Sequence, residues 1–337
     1  MRNRLIAFLT GTTLMIGLLA GCGSTADTGN DADQDGAVES ETVEEVTETE
    51  ESSTRPAVAI TYTDLEDLYN QQTIGLSENV GNARELGCYV GADGKVVKPG
   101  LLIRSGRLKE LSDEDADILL NTYNLGTVID LRSEEDFTDK ADAQLDGVEY
   151  VNIPMHSDSY PGNQPLMDAL AEGQDFATAA KDFIYSDAFA DRYRYYWQDE
   201  YARSQAKAVF DVLLAADPDE AVLWHCSEGK DRTGVIAMLV LGALGVDEET
   251  LLDDYEASNI PYASTIEAIK QQAGDELNEE ELELIGSTSG VHRAMMQEAL
   301  DEVIEEYGSM HDYLINGIGL TEDDITALQE KYLVDVE

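Results

Sequence analysis

The sequence predicts an α/β domain in which helices flank a mostly parallel central sheet, with a helical lid-like insertion. From about residue 57 onward, short apolar or β-branched runs alternate with helical patterns. The helix predicted after the last strand is apolar on nearly all sides, which is typical of a helix buried against a sheet. The predicted strands cover residues 126–131, 148–153 and 221–224.

Helix signals occupy much of the rest of this domain. Ser112 and Asp115 have the spacing of a capping box, with Asp in place of the usual Glu, and predict a helix over residues 112–123. Gly308 suits the C-cap of a helix near the C-terminal end. The other predicted helices cover residues 165–214, which form the insertion, 234–244, 291–307 and 321–332.

Composition limits the classes of partner. The 337 residues fit one large domain or two ordinary ones, and 43% hydrophobic residues suffice for a core. Seventy acidic against 21 basic residues give a net charge of −49, which argues against nucleic acid and against docking on anionic lipid by charge alone. Three cysteines cannot form a disulfide scaffold, and the four histidines lack ligand spacing, so no metal or cofactor is expected.

The N-terminal segment has the pattern of a bacterial lipoprotein signal. Arg2 and Arg4 precede an apolar run over residues 5–20, which is followed by Gly21 and Cys22. Small residues before a cysteine resemble a lipobox, so residues 1–21 are predicted to be a signal peptide and Cys22 to carry acyl chains such as palmitate. The alternative is an ordinary cleavable signal with an incidental cysteine.

An acidic segment follows the predicted signal. Residues 22–56 are rich in Asp, Glu, Ser, Thr and Gly and contain no aromatic residue. Such a chain cannot bury enough apolar surface to offset its conformational entropy, so it is predicted to be a disordered tether. The folded domain, residues 57–337, is then expected on the bacterial cell surface, anchored by lipid to the outer face of the cytoplasmic membrane.

The loop after residue 224 carries the most specific pattern for chemistry. Cys226 and Arg232 are separated by five residues between a buried strand and a buried helix. The N–H groups of such a loop and the positive end of the helix converge on one point, where a phosphate fits. Arg232 is predicted to bind two phosphate oxygens, and Cys226 to be the nucleophile because its thiolate is stabilised there. Substrate contacts are predicted for Ser227, Glu228, Gly229, Lys230, Thr233 and Gly234.

Two of these contacts have more specific predicted roles. The Thr233 hydroxyl is placed to donate a hydrogen bond to the sulfur when sulfur becomes the leaving group. Lys230 is expected at the rim of the site, where its charge suits substrates with more than one phosphate. The aromatic segment 193–197 is interpreted either as a lid over this site or as part of the core.

The loop resembles the signature of the cysteine-dependent phosphatases. Its form, His-Cys-x-x-Gly-Lys-Asp-Arg-Thr-Gly, is similar to one branch, the bacterial tyrosine-protein and lipid phosphatases related to secreted mycobacterial and listerial enzymes. The resemblance covers nearly all of residues 60–335, with Glu85 and Cys88 departing from the usual Asp and Gly. The other matching segments are residues 81–89, 98–108, 127–132, 254–259 and 307–309.

The resemblance implies a phosphomonoesterase that forms a cysteinyl-phosphate intermediate. The implied substrates are phosphotyrosine proteins, with dual specificity or phosphoinositides as extensions, and inositol polyphosphates of the phytate type are the alternative. A surface protein that binds phosphorylated ligands without turnover, and a sulfurtransferase, are the other function classes. A binding module usually lacks the cysteine or the arginine, whereas this loop has both Cys226 and Arg232.

Two aspartates are candidates for the general acid. Asp231 lies in the loop, where the resemblance places an aspartate, and Asp130 ends a predicted strand at the same edge of the sheet. Asp130 is alternatively an ion-pair partner of an arginine. His225 is interpreted as a residue that orders the loop, and Arg104 and Arg132 either as anchors of the site or as surface charges.

Cys88 suggests a redox hypothesis. Apart from Cys226, it is the one thiol of the predicted domain. A reversible disulfide between the two would shield the nucleophile from over-oxidation in an oxidising exterior.

Overall fold

Two sheets are present in the computed structural model, which describes residues 55–133, 141–157, 160 and 162–336. The predicted signal peptide, Cys22 and most of the predicted tether lie outside these residues. The strands are β1 (Arg84–Glu85), β2 (Val96–Val97), β3 (Leu102–Ser105), β4 (Leu125–Asp130), β5 (Glu149–Asn152), β6 (Ala221–His225) and β7 (Leu333–Val334).

The larger sheet confirms the predicted mostly parallel arrangement. Its order is β1-β3-β6-β4-β5, with β3, β6, β4 and β5 parallel and β1 antiparallel at one edge. Ser105 and Asp130, at the ends of β3 and β4, both pair in register with His225 at the end of β6. The loop that follows His225 therefore leaves the sheet at its centre, between two neighbouring carboxyl ends. A separate antiparallel pair joins β2 to β7.

Helices cover both faces of this sheet and form the insertion. A π-helical turn, Ile118–Thr122, extends α2. The helices are α1 (Leu65–Gln72), α2 (Asp113–Asp117), α3 (Gln164–Ala171), α4 (Phe176–Ile184), α5 (Asp187–Gln198), α6 (Glu200–Ala215), α7 (Asp231–Ala243), α8 (Glu248–Glu256), α9 (Ala263–Ala273), α10 (Glu279–Gly286), α11 (Arg293–Tyr307), α12 (Met310–Tyr313) and α13 (Glu322–Tyr332).

The central helix α7 is buried on all sides, as its sequence predicts. Every residue from 232 to 241 is buried, and the helix packs against β3, β6 and α8. Each large aliphatic side chain removed from water there contributes about 1.5–3 kcal/mol to folding. Burial of this helix fixes its N-terminal end against the centre of the sheet.

The predicted helix ends are also present. Ser112 and Asp115 form the capping box that starts α2, and Asp115 accepts two further hydrogen bonds from the N–H and hydroxyl of Ser77, at 2.6 and 2.7 Å. Gly308 has φ +100°, and its N–H donates to the carbonyl of Ile304 at the end of α11.

The insertion consists of α3, α4, α5 and α6, between β5 and β6. Its aromatic segment is mostly core, because four of its five side chains are buried, although one of them, Tyr196, also lines the cavity described below. The four are Tyr193, Tyr195, Tyr196 and Trp197. Among the residues that the structure describes, no helix combines the length and apolar character needed to cross a membrane.

Candidate active site

A cavity of about 170 Å³ lies where β6 passes through the loop into α7. Tertiary structure brings six residues of the predicted site to its wall, although their side chains differ in exposure. Cys226 is 3% exposed and Arg232 8% exposed, and both line this cavity. The six residues are Cys226, Ser227, Glu228, Lys230, Asp231 and Arg232.

The start of α7 supplies positive potential beside the sulfur. The N-cap residue is Lys230, whose side chain has no acceptor, so the first N–H groups of the helix stay open to an anion. One guanidinium nitrogen of Arg232 lies 3.4 Å from the Ser227 hydroxyl, across the mouth of the loop. The Thr233 hydroxyl is buried and has no hydrogen-bond partner among the described residues. An anion bound in the cavity at the start of α7 would therefore contact backbone N–H groups, the Arg232 guanidinium and the Cys226 sulfur together.

Gly229 allows the loop to approach β3. Its φ is +67°, and a Cβ atom would lie 2.4 Å from the backbone carbon of Ser105, so only glycine fits. Its carbonyl accepts hydrogen bonds from Asn82 Nδ2 at 2.7 Å and from Arg104 Nη2 at 2.9 Å. At Gly234, a Cβ would come within 2.6 Å of the Tyr255 ring. Both glycines thus set how closely the loop and α7 pack on their neighbours.

A buried ion-pair network anchors this loop from behind. Asp254 on α8 accepts from Arg84 Nε at 3.0 Å and from Arg104 Nη1 at 2.5 Å, and all three side chains are at most 1% exposed. Burial would raise the pKa of Asp254, but the two guanidinium groups outweigh it and hold that pKa below its usual value. Burial, together with the charge of Arg84, lowers the pKa of Arg104 to about 10. Arg104 is therefore an anchor of the loop, which was one of the two interpretations of its sequence position.

A second network holds the residue before the predicted nucleophile, Cys226. His225 is fully buried; its Nδ1 lies 3.1 Å from the Cys226 carbonyl and its Nε2 lies 3.1 Å from Asp142 Oδ2. Arg132 bridges Asp142, at 2.8 Å, and Asp130, at 2.7 Å. Burial opposes ionisation of Asp142, yet the contacts with His225 and Arg132 lower its pKa. Although Asp130, Asp142 and His225 are near enough to share a metal ion, Arg132 already supplies a cation there.

The two candidate acids occupy different surroundings. Asp231 is the first residue of α7 and lines the cavity beside Arg232. Asp130 binds Arg132 through both carboxylate oxygens and is not among the residues that line the cavity. Asp231 is therefore nearer to any group bound over the sulfur.

Lys230 is not at the rim, where the sequence analysis placed it. Its side chain is buried, and Nζ donates to the carbonyls of Gly290 at 2.9 Å and Thr288 at 3.2 Å. Asp231 and Glu228 lie 3.6 and 3.4 Å from the same nitrogen. The carbonyls of the turn before α11 draw the ammonium inward, so it joins the loop to the helical layer.

An aromatic wall of His156, Tyr160 and Tyr196 faces the loop across the cavity, and most of it has no signal in the sequence. The rings of His156 and Tyr160 stack with their centroids 3.7 Å apart, and His156 Nε2 lies 2.9 Å from the Tyr196 hydroxyl. Burial, with the charge of Asp231 second, raises the pKa of Tyr160 to about 12. Only Tyr196 belongs to the aromatic segment noted in the sequence; the other two follow β5 in a stretch without a recognisable motif.

The two cysteines of the described chain are free thiols. Cys88 is buried, its sulfur lies 3.5 Å from the Pro56 carbonyl, and it is not among the residues that line the cavity. Burial raises the pKa of Cys88, which disfavours the thiolate that disulfide exchange requires. The structure therefore does not contain the hypothesised disulfide with Cys226. Cys88 adopts φ +70°, a conformation that suits the glycine it replaces.

The sequence is similar to those of known tyrosine phosphatases. The model of the tyrosine phosphatase family matches residues 76–334. A Cupriavidus necator protein, provisionally named a tyrosine-protein phosphatase, is 32% identical over 54% of this chain and 62% of its own length. A triple specificity protein phosphatase of Mycobacterium tuberculosis is 29% identical over 65% of this chain and 86% of its own. A tyrosine-protein phosphatase of Nostoc commune is 30% identical over 46% of this chain and 47% of its own length. The chain therefore spans less than two thirds of the first and third of these relatives.

Replacement of Asp254 by Asn tests the buried network. The change leaves two buried guanidinium groups without a carboxylate, so we expect the free energy of unfolding to fall by about 3–5 kcal/mol in urea at pH 7. Because the pKa of folded Asp254 is lowered, its contribution is complete above the unfolded value of about 3.9 and is lost as the pH falls through the folded pKa.

The neighbouring Asp253 provides the control. Asp253 binds Arg293 at 2.6 Å and accepts a hydrogen bond from the Tyr62 hydroxyl at 2.5 Å. This ion pair is partly exposed: 17% of the Asp253 side chain and 25% of the Arg293 side chain are accessible. Asp253→Asn should cost about 1 kcal/mol or less. Equal losses for the two variants would contradict the role given to Asp254.

Proposed function

The chain belongs to the tyrosine phosphatase family, and we propose that it hydrolyses phosphate monoesters through a cysteinyl-phosphate intermediate. One observation carries the proposal: Cys226, Arg232 and the open N-terminal end of α7 meet in one cavity. A phosphate bound there has its oxygens on N–H groups and a guanidinium while its phosphorus faces the sulfur.

The first step forms a bond between sulfur and phosphorus. The Cys226 thiolate attacks phosphorus opposite the ester oxygen, and Arg232 with the loop amides stabilises the charge on the other three oxygens. The P–O ester bond breaks, and the leaving oxygen takes a proton from Asp231. The product is the alcohol or phenol together with the cysteinyl-phosphate.

The second step restores the thiolate. Asp231, now ionised, accepts a proton from a water molecule whose oxygen attacks phosphorus, and the S–P bond breaks to release inorganic phosphate. The buried Thr233 hydroxyl, which has no other partner in the described chain, donates a hydrogen bond to the departing sulfur. Asp130 is less suited to these proton transfers because its carboxylate is held by Arg132.

We propose phosphotyrosine proteins as the substrates. The aromatic wall of His156, Tyr160 and Tyr196 offers stacking surface beside the phosphate site, which fits a phenyl leaving group. The name of the mycobacterial relative indicates broader specificity for that protein. Dual specificity, or activity on phosphoinositides, would extend the range of substrates here. Inositol polyphosphates remain the alternative substrate class.

We also propose that the enzyme acts at the bacterial cell surface as a lipoprotein. Support comes from the sequence, in which Cys22 follows a basic and then apolar segment of signal-peptide length. Two or more acyl chains on Cys22 would hold the protein on the outer face of the cytoplasmic membrane.

Hydrolysis of p-nitrophenyl phosphate tests the reaction. We expect the full chain to release p-nitrophenol and Cys226→Ser to reduce kcat at least about 10⁴-fold, because the hydroxyl replaces the nucleophile. Unchanged circular dichroism of the variant is the control for folding. Equal rates for the two proteins would exclude a cysteinyl-phosphate, and activity on thiosulfate instead would indicate a sulfurtransferase.

The general acid can be identified by comparing leaving groups. Asp231→Asn should lower kcat by about 10²-fold for phenyl phosphate, and by less for p-nitrophenyl phosphate, whose leaving group needs no proton. Asp130→Asn is the matched control and should affect both substrates equally, through the position of Arg132. If Asp130→Asn shows the dependence on the leaving group instead, the assignment of Asp231 is wrong.

Fractionation of a bacterium that expresses the full chain tests the anchor. The protein should partition with membranes and gain the mass of its acyl chains, and Cys22→Ser should release it to the soluble fraction. Soluble protein with an unmodified Cys22 would show an ordinary secretory signal.

A further inference from the structure

We propose that Glu228 makes the cavity select phosphopeptides with Lys or Arg beside the phosphorylated residue and disfavour ligands with a second phosphate. The inference rests on the proposed phosphatase function. Glu228 lines the same cavity as Cys226 and Arg232, and 52% of its side chain is exposed. It is therefore an acidic group at the mouth of a site whose bound phosphate is itself an anion.

The ammonium of Lys230 is already bound by groups of the protein itself, so Lys230 is poorly placed to hold a second phosphate. The ammonium of Lys230 is buried between the carbonyls of Gly290 and Thr288. Glu228 Oε2 approaches it at 3.4 Å and Asp231 Oδ2 at 3.6 Å. Glu228 faces this ammonium through Oε2, and 52% of its side chain stays exposed to the groups of a ligand that flank the bound phosphate.

The main chain holds Glu228 at this position. The hydroxyl of Tyr262, just before α9, donates to the Glu228 carbonyl at 2.6 Å, and the next carbonyl, of Gly229, is held by Asn82 and Arg104. Because the backbone is already held, pairing with a ligand cation orders only the side chain of Glu228 and not the loop, which lowers the entropic cost of the pairing.

The charge of the whole chain acts in the same direction. Its net charge of −49 repels anions outside the cavity, and a second phosphate within about 5 Å of Glu228 meets like charge at short range. A cationic side chain in the same place is attracted both by the net charge of the chain and by the Glu228 carboxylate. These observations favour basic phosphopeptides over inositol polyphosphates and phosphoinositide headgroups as substrates.

A comparison of two phosphotyrosine peptides, one with Arg and one with Ala on each side of the phosphotyrosine, tests the proposal. The full chain should have a higher kcat/KM for the Arg peptide, and Glu228→Gln should reduce the ratio of the two values by about threefold to fivefold. Glu298→Gln removes another exposed surface carboxylate, paired with Arg194 and 64% exposed, and should leave the ratio unchanged. Raising NaCl from 50 to 500 mM should diminish the wild-type preference.

Binding measurements separate failure of this inference from failure of the proposed reaction. The affinities of the same peptides for Cys226→Ser and for Cys226→Ser with Glu228→Gln give the same ratio without turnover. An unchanged ratio on removal of the carboxylate, or tighter binding of inositol hexakisphosphate than of the Arg peptide, overturns the role of Glu228. Absence of Cys226-dependent hydrolysis instead overturns the phosphatase proposal, whatever the binding ratio.

Discussion

The position of the proposed nucleophile, Cys226, depends on one buried carboxylate, that of Asp254. It pairs with both Arg84 and Arg104, and Arg104 in turn binds the carbonyl of Gly229 in the loop. A carbonyl turned toward Arg104 leaves the N–H groups of the loop directed to the anion. Since a lone buried guanidinium is very unfavourable, the three charges act as a unit, and the loop is as rigid as that unit.

Charge is divided unevenly between the site and the rest of the chain. Arg84, Arg104, Arg132, Lys230 and Arg232 lie buried around the loop, whereas acidic residues outnumber basic ones by 70 to 21 in the whole sequence. Arg84 and Arg104 share the single carboxylate of Asp254, which leaves one of their two positive charges uncompensated, and water screens that buried charge little, whereas salt screens the exposed acids. The proposed phosphate site therefore keeps positive potential in a chain whose net charge repels anions elsewhere.

Much of the fold was predictable because its signals are long or chemically specific. Helix α7 is apolar through two full turns and more, and the loop from Cys226 to Arg232 combines residue types that rarely occur together by chance. Strands β1, β2, β3 and β7 escaped prediction. Three of them have only two residues, too few to show periodicity, and the four residues of β3 end in the buried polar pair Arg104 and Ser105.

The part of the site that was missed depends on contacts between distant segments. His156 and Tyr160 reach the cavity because β5 ends beside β4, and nothing in their local sequence records this. The loop sequence predicts Lys230 at the rim, but its partners, Thr288 and Gly290, are 58 and 60 residues away in the chain. Side-chain direction in a loop follows from such partners and not from spacing.

The contact between Gly229 and Ser105 limits how the loop can diversify. A single added methyl group would overlap the backbone of a central strand, so position 229 admits one amino acid of the twenty. Ser227 and Glu228 face the cavity and meet no such restriction. Paralogues that acquire new ligands should therefore vary at these two codons, and a mutagenesis library aimed at altered selectivity should randomise them and leave the glycine untouched.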